Sequence, residues 1–250
     1  MRTTSVYNSL AVMVVVAVVS GCASNRSIEP PFEWDITGEF ATPGTSLTLT
    51  ELERHRMGGE WISVSYEIRA TGFSPQESLH FWTRSLDGEF GWFSGTVDAD
   101  GLFRLSGLDR FSIIDYAPGE PLDVALVSAT TGKRAHTKVF PVPIEAQGTG
   151  GTSASAELGL ATGRHFLITF RGFQPGEDVQ ITSRYETETK TSSGKASQDG
   201  EITFAVMFGP GDHGKAVATA SGKTGTVSLE YGVGMDAFKR PLIGSVNAPD

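Results

Sequence analysis

A short motif occurs twice in the chain, one hundred positions apart. Gly72-Phe73-Ser74-Pro75-Gln76-Glu77 returns as Gly172-Phe173-Gln174-Pro175-Gly176-Glu177. Each copy follows a segment in which apolar and polar residues alternate, and each is followed by another such segment, at 79–84 and 179–184. Alternation with a period of two is typical of strands that bury one face. The repeat therefore predicts two related β-domains in tandem.

An Asp-Gly pair is the second feature that the two copies share. Asp100-Gly101 and Asp199-Gly200 each lie between apolar-rich segments, which is a strong short-range signal for a β-hairpin. The chain also has 30 glycines and 12 prolines, a composition that favours short strands joined by tight turns. We predict an all-β fold with two antiparallel β-sandwich domains.

The composition of the segments predicts the domain boundaries. Pro30-Pro31 favours an extended spacer, and Gly148-Thr149-Gly150-Gly151 is typical of a flexible linker. The tail is expected either to form an extra edge strand or to lack structure, and both alternatives remain open. The predicted boundaries are 1–21 for a signal peptide, 22–34 for a tether, 35–146 for domain one, 147–155 for a linker, 156–235 for domain two and 236–250 for the tail.

The order of motif, strand, Asp-Gly turn and strand resembles the immunoglobulin-like domains common in bacterial surface proteins. The resemblance covers most of residues 35–235 and implies a fold without implying an activity. The disulfide of antibody domains is absent because the chain contains a single cysteine.

That cysteine follows a short apolar segment near the start of the chain. Leu10 to Val19 is uninterrupted by polar residues, but it is shorter than the roughly 20 residues that a membrane-spanning helix needs. With Arg2 before it, the segment is typical of a signal peptide. An ordinary secretory signal with an unrelated cysteine nearby is the alternative.

Val19-Ser20-Gly21-Cys22 resembles the lipobox of bacterial lipoproteins. The resemblance implies that Cys22 becomes the first residue of the mature protein and carries a diacylglycerol thioether and usually an N-acyl chain such as palmitate. Ala23 follows it, where an Asp would favour retention in the inner membrane, so the outer membrane is the expected location in a diderm source. We therefore expect an exported protein held on a membrane through Cys22.

The two copies differ on one face of their second strand pair. The register that points Leu79 and Phe81 inward makes their neighbours point outward, where copy two has polar residues such as Thr182. Exposed contiguous aromatic residues usually mark an interaction surface. The outward residues of copy one form a candidate ligand or partner face made of Trp82, Phe90, Trp92, His80 and Arg84.

A covered face is the alternative, and we expect it ahead of an open one. Residues 106–123, the insert at 53–60 or domain two itself would fold over the aromatic residues and form a second small core. A register shifted by one residue would move every side chain to the other face.

The sequence gives little support for a catalytic, cofactor or metal site. Gly209-Pro210-Gly211-Asp212-His213-Gly214 matches a dinucleotide fingerprint, but it lacks the strand-to-helix context that this fingerprint needs. Asp98-Ala99-Asp100-Gly101 begins like a calcium loop but lacks its bidentate glutamate. The five histidines show no ligand spacing, and no zinc site can be assembled with the single cysteine. We predict no catalytic residue, no cofactor and no metal.

The charge of the chain excludes one class of partner. The formal net charge is −9 and no basic cluster occurs, whereas nucleic-acid binding depends on neutralising phosphates. We predict a non-enzymatic cell-envelope lipoprotein that binds a protein partner. The first alternative is a carbohydrate-binding module that uses the aromatic face of domain one. A hydrolase with dispersed acidic residues is a weaker alternative.

Overall fold

The computed structural model describes residues 30–34, 40–57, 61–88, 90–108 and 110–239. The signal peptide, the lipobox with Cys22, residues 22–29 of the tether and residues 240–250 of the tail lie outside the described residues. Within the described ranges no helix is long and apolar enough to cross a membrane. The strands are β1 (Ser46–Met57), β2 (Trp61–Thr71), β3 (Ser78–Arg84), β4 (Phe90–Val97), β5 (Phe103–Leu105), β6 (Phe111–Ile114), β7 (Leu122–Ser128), β8 (Arg134–Val139), β9 (Ile144–Gln147), β10 (Ser153–Leu158), β11 (His165–Arg171), β12 (Asp178–Tyr185), β13 (Glu188–Lys195), β14 (Ile202–Met207), β15 (Gly214–Ser221) and β16 (Thr226–Val233); 3-10 helices span Thr149–Gly151 and Gly234–Phe238.

In the described ranges the strands form four antiparallel sheets, two in each domain. In domain one the sheet β1-β2-β6 faces the sheet β5-β4-β3-β7-β8. In domain two the sheet β14-β11-β10-β9 faces the sheet β13-β12-β15-β16. Both pairs have the strand order of an immunoglobulin-like sandwich, so the predicted fold class is confirmed.

The inward residues of both domains follow the alternation in the sequence. Leu79 and Phe81 on β3 are 0% exposed, as is Val179 on β12, while Ile181 is 5% exposed. The ring of Phe81 lies 4.8 Å from that of Phe111 and 5.9 Å from that of Phe103. The register expected for these strands is therefore the one that the structure has.

The repeated motif forms the loop between β2 and β3 in domain one and the loop between β11 and β12 in domain two. Gly172 has a φ of 87°, and a Cβ there would lie 2.5 Å from the carbonyl oxygen of Gly151. Only glycine adopts this conformation at such close approach without strain. The N–H of Phe173 donates to the carbonyl of Gly200, which joins the motif to the Asp-Gly turn. The two repeated sequence signals are thus neighbours in space.

The expected linker at 147–155 differs from the structure. Thr149–Gly151 forms a 3-10 turn between β9 and β10, which pair with each other in the sheet of domain two. Thr152 is fully buried, and its hydroxyl donates to the carbonyl of Thr149 at 2.8 Å. The glycines here permit a tight hairpin turn rather than a flexible connection. In the structure the first strand of domain two is β9, which begins before the expected boundary at 146.

The start of the expected tail also belongs to domain two. Gly234–Phe238 forms a 3-10 helix, and Ala237 is 2% exposed within the core of that domain. These residues therefore do not form the extra edge strand that was one of the two alternatives. The core therefore continues past 235.

The domains meet through the loop between β6 and β7. Ala117 packs in the core cluster of domain two, and the N–H of Leu158 donates to the carbonyl of Gly119 at 2.8 Å. Burial raises the pKa of Glu120, whose carboxylate accepts the N–H of Ala117 at 2.9 Å. This loop of domain one is thus built into domain two, and Leu86, between β3 and β4, packs against the same core.

Candidate interaction face

The two outer tryptophans of domain one face each other across neighbouring strands. Trp82 on β3 pairs directly with Trp92 on β4, and their rings lie 6.3 Å apart. Phe81 and Phe93, next to them in sequence, belong to the inner core cluster. Because side chains alternate along a strand, both tryptophans lie on the outer face of the sheet.

The end of the expected tether, together with Phe40, covers part of this face. The ring of Phe32 meets that of Trp82 edge-on at 5.9 Å, and the ring of Trp34 lies 5.5 Å from that of Phe90. Phe40 is 8% exposed and packs with Trp82 and Ala125 in a separate apolar cluster. We call Phe32, Trp34 and Phe40 the aromatic cap. The tether thus ends in residues that pack on domain one instead of forming a free spacer.

A cation fixes the outer side of the aromatic cap. The guanidinium carbon of Arg134 lies 5.2 Å from the centroid of the Phe32 ring and 5.5 Å from that of Phe40. Such cation–π contacts contribute about 0.5–1 kcal/mol at exposed sites. Among the described residues, the buried indole N–H groups of Trp34 and Trp82 have no acceptor, which offsets part of what the covering gains.

The candidate residues therefore have different environments. Trp82 is 4% exposed, whereas Trp92 is 43% exposed. The imidazole of His80 meets the indole of Trp92 edge-on at 5.5 Å. Phe90 and Arg84 are half-buried and pair with each other across β3 and β4. The structure keeps the five candidates on one face but leaves only Trp92 largely open.

The covering comes from a segment that the sequence-based hypothesis did not include. Phe111 and Ile113, in the connection at 106–123, are buried in the main core of domain one instead of on the outer face. The sequence signal that identifies the cap is the alternation Phe32-Glu33-Trp34, which is strand-like spacing in a segment read as a spacer.

The glutamate of the repeated motif braces two loops in each domain. Glu177 accepts the N–H of Gln174 at 2.8 Å, the N–H of Thr224 at 2.8 Å and the Thr224 hydroxyl at 2.5 Å. These hydrogen bonds, that of the Thr224 hydroxyl first, lower the pKa of Glu177 to about 2. Glu77 accepts hydrogen bonds from Ser128, Ser74 and Thr131, and its pKa is also lowered, mainly by the Ser128 hydroxyl.

The two motifs weighed for chemistry form turns. The N–H of Gly209 donates to the carboxylate of Asp212 at 2.6 Å. The carboxylate of Asp98 accepts the N–H groups of Asp100 and Leu102, at 3.0 and 2.9 Å. In the part of the chain that the structure describes, no group of three or more His, Cys, Asp or Glu side chains is arranged to hold a metal ion.

The comparisons with known proteins concern the fold alone. No protein-family model matches the chain, and no curated protein matches it. A crystal structure of a tetra-tandem repeat in the extending region of a large adhesion protein is 18% identical, covers 77% of this chain and 50% of its own, and has a TM-score of 0.26. The chicken interferon gamma receptor alpha chain is 9% identical, covers 78% of this chain and 98% of its own, and has a TM-score of 0.25.

The FN1–FN3 domains of chicken CNTN1 are 10% identical, cover 76% of this chain and 64% of their own, and have a TM-score of 0.21. The chain thus spans about half the length of the adhesion repeat structure. Because the TM-scores are this low, the description of the fold rests on the arrangement of the sheets and not on these similarities.

Proposed function

We propose that the protein is a lipid-anchored, non-enzymatic interaction module of the cell envelope, and that its partner is a protein. The observation that carries the proposal is Trp92, which stays 43% exposed on a strand while the aromatic cap covers the rings beside it. Tryptophans held on a rigid element and open to solvent are typical of binding hot spots. Cys22 is the residue that would carry the lipid, as the lipobox resemblance implies.

A protein partner fits this face better than a polysaccharide. Stacking on sugars favours a platform of several exposed rings, and the burial of Trp82 under Phe32 takes one such ring away. Trp92 and His80 still provide one aromatic ring on which a sugar could stack and one polar group that could bind a hydroxyl. Carbohydrate binding is therefore the second candidate.

The polar residues of the repeat support binding over catalysis. Glu77 and Glu177 are the carboxylates that the repeated motif contains, and both accept hydrogen bonds that hold adjoining loops together. Asp98 and Asp212 brace their own turns in the same way. These side chains have structural roles already.

The length of the tether limits where domain one would lie. Residues between Cys22 and Pro30 span at most about 28 Å when fully extended. The aromatic cap begins two residues after Pro30 and packs on domain one. A lipid on Cys22 would therefore hold domain one close to the bilayer surface, with Trp92 available to a partner in or near the membrane.

Photo-crosslinking in cells tests the proposal. A photoreactive phenylalanine analogue replaces Trp92 in the full chain, and the same analogue replaces Thr48, an exposed residue on the opposite sheet, as the control. We expect a specific crosslinked protein from position 92 that is absent from position 48 and is reduced when Cys22→Ala releases the chain from the membrane. Equal crosslinking from both positions would contradict the proposal.

The carbohydrate alternative has its own measurement. Binding of envelope polysaccharides to the chain carrying Cys22→Ala is followed by tryptophan fluorescence, and the same chain with Trp92→Ala is the comparison. Saturable quenching that Trp92→Ala abolishes, together with no crosslinked protein, would replace the protein partner with a glycan.

A further inference from the structure

The two domains differ along one side of the sandwich, where the edge strand of one sheet lies next to the edge strand of the other. In domain one these edges are β5 and β6, and in domain two they are β13 and β14. Both domains pass through an Asp-Gly turn at this side, but they continue differently. Phe103 matches Ile202, and Phe111 matches Val206. The connection between the matched residues is longer in domain one, where it spans 104–110, than in domain two, where it spans 203–205.

The extra residues of domain one fill the gap between its sheets. β5 adds to the edge of β4, pairing Val97 with Phe103 and Gly95 with Leu105. The side chains of Phe103 and Leu105 are 5% and 9% exposed and belong to the core. Phe93 on β4 completes this region, with its ring 6.0 Å from that of Phe111.

Domain two has neither of these features. In the part of the chain that the structure describes, β13 has no strand on its outer side. Counted back from the Asp-Gly turns, Ser192 takes the position of Phe93. Ser192 pairs with Ile181, a core residue, so its side chain is directed inward, yet it is exposed. A side chain that is directed inward and still exposed indicates that the two sheets are open here.

The opening is a cleft between β13 and β14. Its volume is about 260 Å³, and Ser192, Thr191 and Lys190 line one side while Phe204 and Val206 line the other. Phe204 and Val206 face the core but are only half-buried, and Met207 at the end of β14 is 76% exposed. Apolar core residues are thus accessible from solvent through the gap.

One end of the cleft is already closed by the chain itself. Ile202 packs over Gly194, where an added Cβ would lie 2.7 Å from its Cδ1. Phe103 packs over Gly95 in the same way in domain one, at 2.6 Å from its Cζ. The two domains therefore share this contact and diverge only beyond it, where β5 continues along β4 and β14 turns to pair with β11.

We infer that the cleft of domain two binds an extended segment of the partner protein, which adds to the edge of β13 and inserts alternating apolar side chains onto Phe204 and Val206. This is strand addition to an exposed sheet edge, in which backbone hydrogen bonds give affinity and side-chain pockets give specificity. Domain one shows that the corresponding edge takes a further strand, because β5 pairs with Gly95, Thr96 and Val97 of β4 within its own chain. The inference rests on the proposed function, since it takes the partner to be a protein.

The charged side chains on the free edge of β13 disfavour pairing with strands that lack suitable apolar residues. Lys190 and Lys195 on β13 are exposed and lie near the carboxylates of Glu188 and Asp178, at 3.9 and 2.7 Å. Charged side chains on a free edge keep it from pairing indiscriminately. A binding segment must therefore gain from apolar residues two positions apart, as Phe103 and Leu105 are. A polar segment would meet the charged edge without gaining an apolar contact, so it would bind weakly.

A peptide with the sequence of residues 101–108, which contains β5 of domain one, is the probe. Fluorescence anisotropy follows its binding to the full mature chain carrying Cys22→Ala. We expect saturation at or below about 1 mM peptide. Ser192→Phe places a ring in the cleft against Phe204 and Val206, in the space that the inserted apolar side chains would take, and it is expected to weaken binding at least tenfold. Ser193→Phe, on the outward side of the same strand, is expected to change it less than twofold.

Four results would overturn the inference. One is the absence of saturable binding, and another is unchanged binding in Ser192→Phe. A third is a tenfold gain in affinity when the chain ends at Lys239, because the cleft would then belong to residues 240–250. The fourth is a dimer in analytical ultracentrifugation that Ser192→Phe dissociates, because the occupant would then be a second copy. The proposed function has a separate test, since crosslinking from position 92 can succeed or fail independently of the peptide.

Discussion

The two outer tryptophans of domain one provide a matched pair of substitutions that measures how firmly the aromatic cap is held. Trp82→Ala removes a ring that is 4% exposed, and Trp92→Ala removes the neighbouring ring, which is 43% exposed. Truncating a buried tryptophan costs about 3–5 kcal/mol. The lower part of that range applies here, because the cap is a short segment that can partly collapse into the space left behind. We expect a loss of about 3 kcal/mol for Trp82→Ala and below about 1 kcal/mol for Trp92→Ala.

Urea unfolding of the chain with Cys22→Ala, followed by near-ultraviolet circular dichroism, measures both values. For a domain of about 100 residues, 3 kcal/mol corresponds to a fall of roughly 12 °C or more in Tm, which calorimetry resolves. Phe32→Ala is the check from the other side of the contact, and it should increase acrylamide quenching of tryptophan emission because Trp82 becomes accessible. Equal losses for Trp82→Ala and Trp92→Ala would refute the covered arrangement, since an uncovered sheet would expose both rings alike.

Three further predictions address the motif glutamate, the edge strand and the anchor. The lowered pKa of Glu177 contributes stability above its usual pKa near 4.5, and this contribution is lost as the pH falls towards about 2. The Tm difference between wild type and Glu177→Gln should therefore be largest above pH 5 and shrink steadily as the pH falls towards 2; a constant difference would contradict the hydrogen-bonded carboxylate. Gly95→Ala should cost about 1–3 kcal/mol, because its Cβ would meet the backbone carbonyl of Arg104, and Gly194→Ala should cost less in the same urea titration, because only the flexible end of Ile202 must move. Cys22→Ala should transfer the protein from the detergent phase to the aqueous phase in a phase partition, and an unchanged partition would contradict lipidation.

The inner structure of each domain could be predicted from the sequence because it depends on local rules. The alternation around Phe81 and Ile181 fixes which face of each strand is buried, and the structure has that register. Asp100-Gly101 and Asp199-Gly200 form turns for the reason that the sequence indicates, since glycine supplies the positive φ of 78° and 73°.

The composition of the glycine-rich stretch at 148–151 was misleading. Glycine has the same sequence signature in a flexible linker and in a tight turn, and only the pairing of the flanking residues distinguishes the two. Here Gln147 pairs with Ser153 across the turn. A further indication was present in Thr152, because β-branched residues next to glycines favour strands over linkers.

The covering of the outer face could not be derived from the strands that form it. Local alternation says that Trp82 points outward, but it does not say which distant segment packs on it. Phe32 and Trp34 are separated from Trp82 by two complete strands, and nothing in the repeat aligns with them because domain two has no counterpart. The internal repeat therefore predicts what the domains share, and it locates their differences without explaining them.

The aromatic cap connects the expected anchor to the orientation of both domains. Phe32 and Trp34 are fixed against the outer sheet of domain one only a few residues after the segment that Cys22 begins. A lipid on Cys22 would thus hold that sheet towards the membrane. Domain two is joined to domain one by a buried loop and by an ion pair of 2.7 Å between Lys138 and Glu157. Because these contacts limit rotation between the domains, the cleft beside β13 would take its direction from the anchor. A partner segment would then reach it from the side of the molecule on which β13 lies, and attachment at Cys22 would determine binding geometry as well as location.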